Sequence, residues 1–320
     1  MQKLGRWSVA FCALLLSAAP AAGQYPSKPV RLIVPFPPGG TADAVARIVV
    51  QPLSQSLGQP VAVENRPGAD GVIAADVVTK APPDGATLFF GTNTAMSAVP
   101  TMRKVPPYDA LADFTPISLI GIYSFFLFVH SSVPAHSFAE LIDYARAHPG
   151  KLNYATGNST SILVTAQLKL LEKLDIVQVP YKGDAPAAAD LVAGRVQLMF
   201  ATPTAAIGHV KEHKLRVLAT LGASRSALLP DVPSTAEMGL AKLTIVPWAG
   251  LFGPAKVPKD IAERVSRGAR AAIARADVRE QLKRQAFEGQ GTTPEELAAF
   301  VKEQLEAWAR AIRDAGIQPE

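Results

Sequence analysis

The sequence feature that most constrains the fold is a repeated change in the spacing of apolar residues. Short apolar runs alternate with segments in which the apolar residues have helical spacing. The runs that predict strands lie at residues 30–34, 61–64, 87–90, 152–155, 177–179, 198–200 and 216–220. Between the first two runs, residues 41–57 carry apolar side chains at helical spacing, and Gly58 ends the pattern. This alternation predicts an α/β fold with parallel sheets covered by helices, in which ligands bind beyond the carboxyl ends of the strands.

Two longer apolar stretches, residues 117–130 and 243–254, do not fit the alternation. We interpret them as strands that cross between two lobes, because a chain of 320 residues exceeds the size at which single cores stop growing. The first lobe would comprise residues 24–124 and 249–320, and the second lobe residues 125–248. The first lobe would then include the two C-terminal helical patterns at residues 260–275 and 294–315.

The N-terminus carries the pattern of a signal peptide. Lys3 and Arg6 precede an uncharged apolar run at residues 7–22, and small residues close the run. We expect cleavage after Gly23 and export to the bacterial periplasm. A membrane anchor is the alternative, but the run is shorter than the roughly 20 residues that span a bilayer. Cys12 is the single cysteine of the chain, so the mature protein would have no disulfide and would depend on core burial.

Charge and motifs argue against several classes of protein. The formal net charge of +5 falls to +3 without Lys3 and Arg6 and is scattered, so nucleic-acid binding is not indicated. We find no nucleophile, phosphate-loop or dinucleotide motif, and therefore predict neither an enzyme nor a cofactor. His209 and His213 are four apart on a predicted helix, but no third ligand is near, so we expect a solvated face and no metal site.

The strongest local signal is the segment from Val34 to Asp43, which reads as a buried strand, a Pro/Gly loop and a helix start. Helix-start amides lack intrahelical acceptors, and Gly39 and Gly40 allow close approach to the backbone. We therefore expect this loop to hold a carboxylate. The candidate ligand-binding residues are Phe36, Gly39, Gly40, Thr41 and Asp43. The alternative is a simple turn in which Thr41 or Asp43 caps the helix.

A second unit has the same order of strand, loop and helix, with the helix predicted over residues 162–174. Its candidate residues are Asn158, Ser159, Thr160 and Ser161, which can hold an anion or water or, more commonly, cap their own helix. If the two loops belong to different lobes, their helix starts can clamp one carboxylate without any basic residue.

The third candidate segment runs from Tyr181 to Leu191, where Tyr181 and Asp184 are predicted wall residues. Lys182 beside a turn glycine is more typical of a solvated charge. Asp184 has two interpretations: a helix cap, or a carboxylate that faces the cleft and selects against a second ligand carboxylate.

Longer stretches around these motifs resemble the Bug receptors, the TctC-type extracytoplasmic binding components of tripartite tricarboxylate transporters. The resembling stretches are residues 25–43, 63–71, 113–116, 181–191 and 248–258. The resemblance implies a type II periplasmic-binding fold with a Venus-flytrap cleft, in which the loops at 36–43 and 156–162 hold a ligand carboxylate. It also implies a monomer that presents its ligand to membrane permease subunits. An alternative partner is a membrane signalling receptor. Ile162 and Asp184 depart from the family pattern, which commonly has histidine and glycine there.

Overall fold

Strands and helices alternate through the part of the chain that the computed structural model describes, which is residues 25–240, 243 and 245–319. The predicted signal peptide lies outside the described residues. The strands are β1 (Val30–Val34), β2 (Val61–Asn65), β3 (Thr87–Thr92), β4 (Phe114–Tyr123), β5 (Phe125–His130), β6 (Asn153–Thr156), β7 (Val177–Pro180), β8 (Leu198–Ala201), β9 (Leu215–Leu221), β10 (Trp248–Pro254) and β11 (Phe287–Gly289). The helices are α1 (Thr41–Leu57), α2 (Val72–Thr79), α3 (Val99–Met102), α4 (Phe138–Ala147), α5 (Ser159–Glu172), α6 (Asp184–Val192), α7 (Ile207–Lys211), α8 (Lys259–Ala274), α9 (Ala276–Arg284) and α10 (Pro294–Asp314). The α/β prediction is confirmed.

The first lobe is built on a sheet with the strand order β11-β4-β10-β3-β1-β2. Side chains alternate across β1, so Leu32 packs with α1 and α8 on one face while Ile33 packs with α2 and α10 on the other. Burial of both faces explains why residues 32–34 of this strand form a continuous apolar run rather than an alternating one.

The second lobe is built on a sheet with the strand order β7-β6-β8-β5-β9. Leu127 and Val129 of β5 pack in the core that contains α4 and α5, and Phe126 and Phe128 pack in the core that contains α6. This sheet is therefore also covered by helices on both faces.

The sheets are mixed rather than purely parallel, which corrects the sequence prediction. Strand β1 pairs in parallel with β2 and β3, and β6 pairs in parallel with β7 and β8. The crossing strands β5 and β10 pair antiparallel to their neighbours. Strand β10 starts at the end of the sheet where β3 finishes, since Ala249 pairs with Thr92. A strand that enters a lobe from the other lobe starts at the interlobe face and runs away from it. It is therefore antiparallel to the neighbouring strands that run toward that face.

The predicted apolar stretch at residues 117–130 forms two strands separated by Ser124. At this point the chain that leaves the first lobe is joined to the chain that returns to it, because Tyr123 N donates a 2.8 Å hydrogen bond to the carbonyl oxygen of Pro247. Ser124 N also donates to the carbonyl oxygen of Ala286 at 2.7 Å. The segment that passes between the lobes is therefore held by two backbone hydrogen bonds, from Tyr123 to Pro247 and from Ser124 to Ala286.

Helix α10 packs on both lobes. Leu297 and Val301 lie in the core of the first lobe, whereas Trp308 and Ile312 lie in the main core of the second. We expected residues 249–320 to complete the first lobe alone, but a helix of 21 residues is about 30 Å long and reaches past it. We propose lobe boundaries at the crossings near residues 124 and 248, with the end of α10 shared.

Replacing Trp308 with alanine should lower the free energy of unfolding by about 3–5 kcal/mol, because a fully buried indole is lost from the shared end of α10. Urea denaturation measures the change. Lys302→Ala on an exposed position of the same helix serves as the control and should stay within about 0.5 kcal/mol of wild type. A loss below 1 kcal/mol in Trp308→Ala would contradict the bridging role of this helix.

Candidate functional site

A cavity of about 590 Å³ lies between the two lobes, at the carboxyl ends of β1, β3, β6 and β8. The wall contains seven of the predicted site residues: Phe36, Gly39, Gly40, Thr41, Asn158, Thr160 and Asp184. This is the position at which α/β proteins bind their ligands. The structure therefore brings residues from all three sequence motifs to one cavity.

Asp43 lies behind the first loop and holds it in place. Its Oδ2 accepts hydrogen bonds from Gly39 N and Arg47 Nε, both at 3.0 Å, and its Oδ1 accepts one from Asn65 Nδ2 at 2.9 Å. Burial by itself would raise the pKa of Asp43, but these hydrogen bonds outweigh it and lower the pKa. Asp43 does not line the cavity and has a supporting role, in contrast to the ligand contact that the sequence predicted.

The first turn of α1 is left open toward the cavity. The residue before the helix is Gly40, which provides no side chain to cap it, and Gly40, Thr41 and Ala42 all line the cavity wall. The amide of Gly39 is already bonded to Asp43. The backbone amides available to a ligand are therefore those that follow Gly39.

The first turn of α5 is closed by its own side chains. Asn158 Oδ1 accepts from Ser161 N at 3.0 Å, and Ser161 Oγ accepts from Asn158 N at 3.3 Å, so the two residues form a capping box. Ser161 is fully buried and lies outside the cavity wall. Of the two uses that the sequence allowed for this loop, the structure therefore places Ser161 in the capping role.

Several side chains of these loops connect the lobes directly. Ser159 Oγ donates to Asp70 Oδ2 at 3.1 Å, and Asn93 Nδ2 donates to Thr160 Oγ1 at 2.7 Å. Thr41 Oγ1 bonds to the hydroxyl groups of two threonines that follow β8, Thr202 and Thr204. Ser159 is thus engaged in an interlobe bond and does not line the cavity.

The two predicted wall residues of the third segment, Tyr181 and Asp184, have different positions. Tyr181 lies outside the wall, where its hydroxyl donates to Asp190 at 2.7 Å. Asp184 is the first residue of α6 and does not cap it, because Gly183 occupies the cap position without a side-chain hydrogen bond. Its Oδ1 accepts from Asn158 Nδ2 at 2.8 Å, and burial raises the pKa of Asp184 to about 6. The cap interpretation of Asp184 is therefore wrong, and its carboxylate lies in the cavity wall.

Sequence reasoning missed the wall residues at the carboxyl ends of β3 and β8 and those at the crossings. They are Thr92, Asn93, Thr94, Tyr123, Phe125, Thr202, Thr204 and Pro247. The signal for the first group was present, because Thr92, Asn93 and Thr94 form a polar run directly after an apolar one. The hydroxyl groups of Thr92 and Tyr123 are buried and have no hydrogen-bond partner among the described residues.

Residues 25–240, 243 and 245–319 contain no group of three potential metal ligands. His209 bonds to Glu212 at 3.0 Å, and His213 lies beyond the end of α7, so the two histidines do not share a helix as predicted. No helix in the same ranges is long and apolar enough to cross a membrane.

Comparison with protein families identifies the chain. The family model described as "Tripartite tricarboxylate transporter family receptor" matches residues 45–317. This chain belongs to that family. The resemblance found in the sequence is confirmed, and the family places the chain among solute-binding receptors rather than enzymes.

Among similar proteins, a UPF0065 protein in the tcbD-tcbE intergenic region of Pseudomonas sp. strain P51 is 37% identical, over 90% of this chain and 86% of its own. Protein BugT of Bordetella pertussis is 34% identical, over 94% of this chain and 93% of its own.

Two solved structures from Rhodopseudomonas palustris share the two-lobed architecture. Rpa4515 with adipate has a TM-score of 0.85 and 32% identity, over 92% of this chain and 100% of that one. MatC with bound malate has a TM-score of 0.80 and 31% identity, over 90% of this chain and 100% of that one.

The partly buried carboxylate of Asp184 predicts a dependence of stability on pH. Its pKa is raised in the folded state, so the folded protein binds an extra proton as the pH falls through about 6, and Asp184 destabilises the protein above that pH. From pH 5 to pH 7, the ligand-free wild type should lose roughly 1 kcal/mol of stability relative to Asp184→Asn. Urea denaturation at the two pH values measures this difference.

Asp190→Asn on the same helix is the control. Hydrogen bonds from Tyr181 and Arg195 lower the pKa of Asp190, so its contribution has the opposite sign and is lost as the pH falls. An equal pH dependence in the wild type and in Asp184→Asn would contradict the buried, charged state of Asp184.

Proposed function

We propose that this protein captures a small carboxylate-bearing metabolite in the interlobe cavity and presents it to the membrane subunits of a tripartite tricarboxylate-type transporter. The observation that carries the proposal is the uncapped first turn of α1, whose residues Gly40, Thr41 and Ala42 line the cavity. Unpaired amides at the start of a 17-residue helix attract negative charge.

The surroundings of this turn suit a single carboxylate. Asp43 carries a negative charge close to the turn, but Arg47 pairs with it at 3.0 Å and offsets that charge. Thr41 and Thr92 also contribute to the same wall. A single carboxylate can be held there by backbone amides and hydroxyl groups alone, without an arginine or lysine.

The rest of the wall suits the carbon skeleton of a metabolite. Its apolar and aromatic residues include two phenylalanines and four prolines: Phe36, Phe125, Pro37, Pro38, Pro186 and Pro247. Cavities of roughly 300–1,000 Å³ with an apolar wall and few polar groups are typical of small-molecule sites. The adipate of Rpa4515 and the malate of MatC are ligands of this size class in similar folds.

Binding is expected to favour contact between the lobes, which are joined by the hinge at Tyr123 and Pro247. We propose that the protein acts as a monomer in the periplasm and that the joined lobes are the form its transporter recognises. Membership of a transporter receptor family favours this partner over a membrane signalling receptor.

Replacing Gly40 with valine should weaken the binding of carboxylates by at least about a hundredfold, since a branched side chain keeps the ligand from the amides of the first turn. Gly40 has φ −78° and its Cβ would meet only Pro37 O, at 3.6 Å, so the variant should fold. The measurement is calorimetric titration with adipate, malate and monocarboxylates, after a thermal-shift screen has found a ligand that wild type binds.

Gly208→Val is the matched control. Gly208 lies outside the cavity wall with open space around it, so affinity should be unchanged. Wild-type affinity in Gly40→Val would remove the first loop from the site.

Material recovered from the periplasm should begin at Gln24, or within two residues of it, because small residues precede that position. N-terminal sequencing checks the cleavage site. An intact Met1, or recovery in the membrane fraction, would contradict export by cleavage.

A further inference from the structure

Asp184 is a carboxylate in the wall of a cavity that is proposed to bind a carboxylate. It reaches the wall from α6 in the second lobe, whereas the open turn of α1 belongs to the first lobe. The two features are therefore presented to a ligand from different sides of the cleft.

The position of this carboxylate is fixed by its neighbours. Asn158 uses its side-chain oxygen to cap α5, so its amide nitrogen is directed to Asp184, whose Oδ1 it meets at 2.8 Å. Segment 183–184 also lies tight against the second loop, because a Cβ at Gly157 would overlap Asp184 Oδ1 and the backbone of Gly183. Asp184 therefore cannot leave the wall without losing its hydrogen bond to Asn158.

The carboxylate has fewer partners than two acids that lie outside the cavity wall, Asp43 and Asp190. Asp43 and Asp190 each pair with an arginine, at 3.0 and 2.6 Å. Within the described part of the chain, Asp184 forms no ion pair, and its second oxygen accepts no hydrogen bond. Lys182 contributes to the same wall but makes no ion pair with it.

A partly buried carboxylate that lacks a cation is costly while it is ionised, and a ligand can supply the missing partner. We propose that Asp184 forms a second subsite that takes the ammonium group of an amino acid whose carboxylate is held by the first turn of α1. This inference rests on the proposed function and names its substrate class. A diacid placed in the same way would bring two carboxylates together, which selects against it.

The electrostatics of the ligand-free cavity agree with this assignment. Burial raises the pKa of Asp184 to about 6, so the carboxylate is mostly ionised at neutral pH but poorly stabilised. An ammonium group would stabilise the ionised form. The charged or titratable side chains that share the wall are Lys182 and Tyr123, and burial raises the pKa of Tyr123.

The test uses the mature chain and ligands matched in length but not in charge. Adipate and hexanoate are compared with 6-aminohexanoate and with 2-aminohexanoate, by calorimetric titration at pH 7.5. Wild type should bind one of the amino acids at least tenfold more tightly than adipate and hexanoate. Asp184→Asn keeps an oxygen acceptor for Asn158 but removes the charge, and should reduce that preference at least tenfold.

Asp190→Asn removes the same charge from the same helix outside the cavity wall and should keep the wild-type preference. If Asp184→Asn does not fold, as judged by circular dichroism, Asp184→Gly takes its place. An equal or tighter affinity of wild type for adipate than for both amino acids overturns the inference without any variant. An unchanged preference in the folded Asp184 variant overturns it as well. Failure of wild type to bind any carboxylate in the wider screen would instead contradict the proposed function.

Discussion

The hydrogen bond from Tyr123 N to the carbonyl oxygen of Pro247 fixes the relation between the two lobes. It joins the outgoing and returning chain where β4 ends and β10 begins. Because β1 and β3 run toward this point, their carboxyl ends face the second lobe, and the cavity forms between the two sheets. Helix α10 adds a further link, since its two halves pack in different cores. The cleft is therefore a consequence of how the chain crosses between sheets.

The two helix starts at the cleft have the same position in their βα units but different chemistry. At α5, Asn158 and Ser161 satisfy the first amides, so the helix end is stable without a ligand. At α1, Gly40 leaves the first amides without a side-chain cap, and Asp43 is turned toward Gly39, Arg47 and Asn65 behind the loop. The capacity to attract an anion is thus concentrated on the first lobe. In the second lobe, Thr160 is bonded to Asn93 across the cleft, and Asn158 is bonded to Ser161 and Asp184 of its own lobe.

The carboxylates of Asp43 and Asp184 differ in how many hydrogen bonds and ion pairs stabilise their charge. Asp43 is held ionised by several hydrogen bonds and an ion pair, and it shapes the loop. Asp184 accepts a hydrogen bond from a single amide donor, and burial raises its pKa. In a cavity of low polarity, the poorly compensated carboxylate has the larger influence on which charged ligand can enter. Selectivity in this receptor is therefore expected to depend on the second lobe, and carboxylate capture on the first.

The sequence by itself determined the α/β class, the helix from Thr41 to Leu57 and seven residues of the cavity wall, because apolar period and helix-start chemistry are local properties. The family came from the resemblance of longer stretches to known receptors, which the family model confirms. It did not determine the roles of Asp43, Ser159, Ser161 and Tyr181, whose partners were decided by the fold: Asn65, Asp70, the α5 backbone and Asp190. Nor did it determine the antiparallel direction of the crossing strands or the double packing of α10, since both depend on where the lobes lie. Asp184 shows the difference most clearly: its sequence context suits a helix cap, and only the position of Asn158 and the second loop turns its carboxylate into the cavity wall.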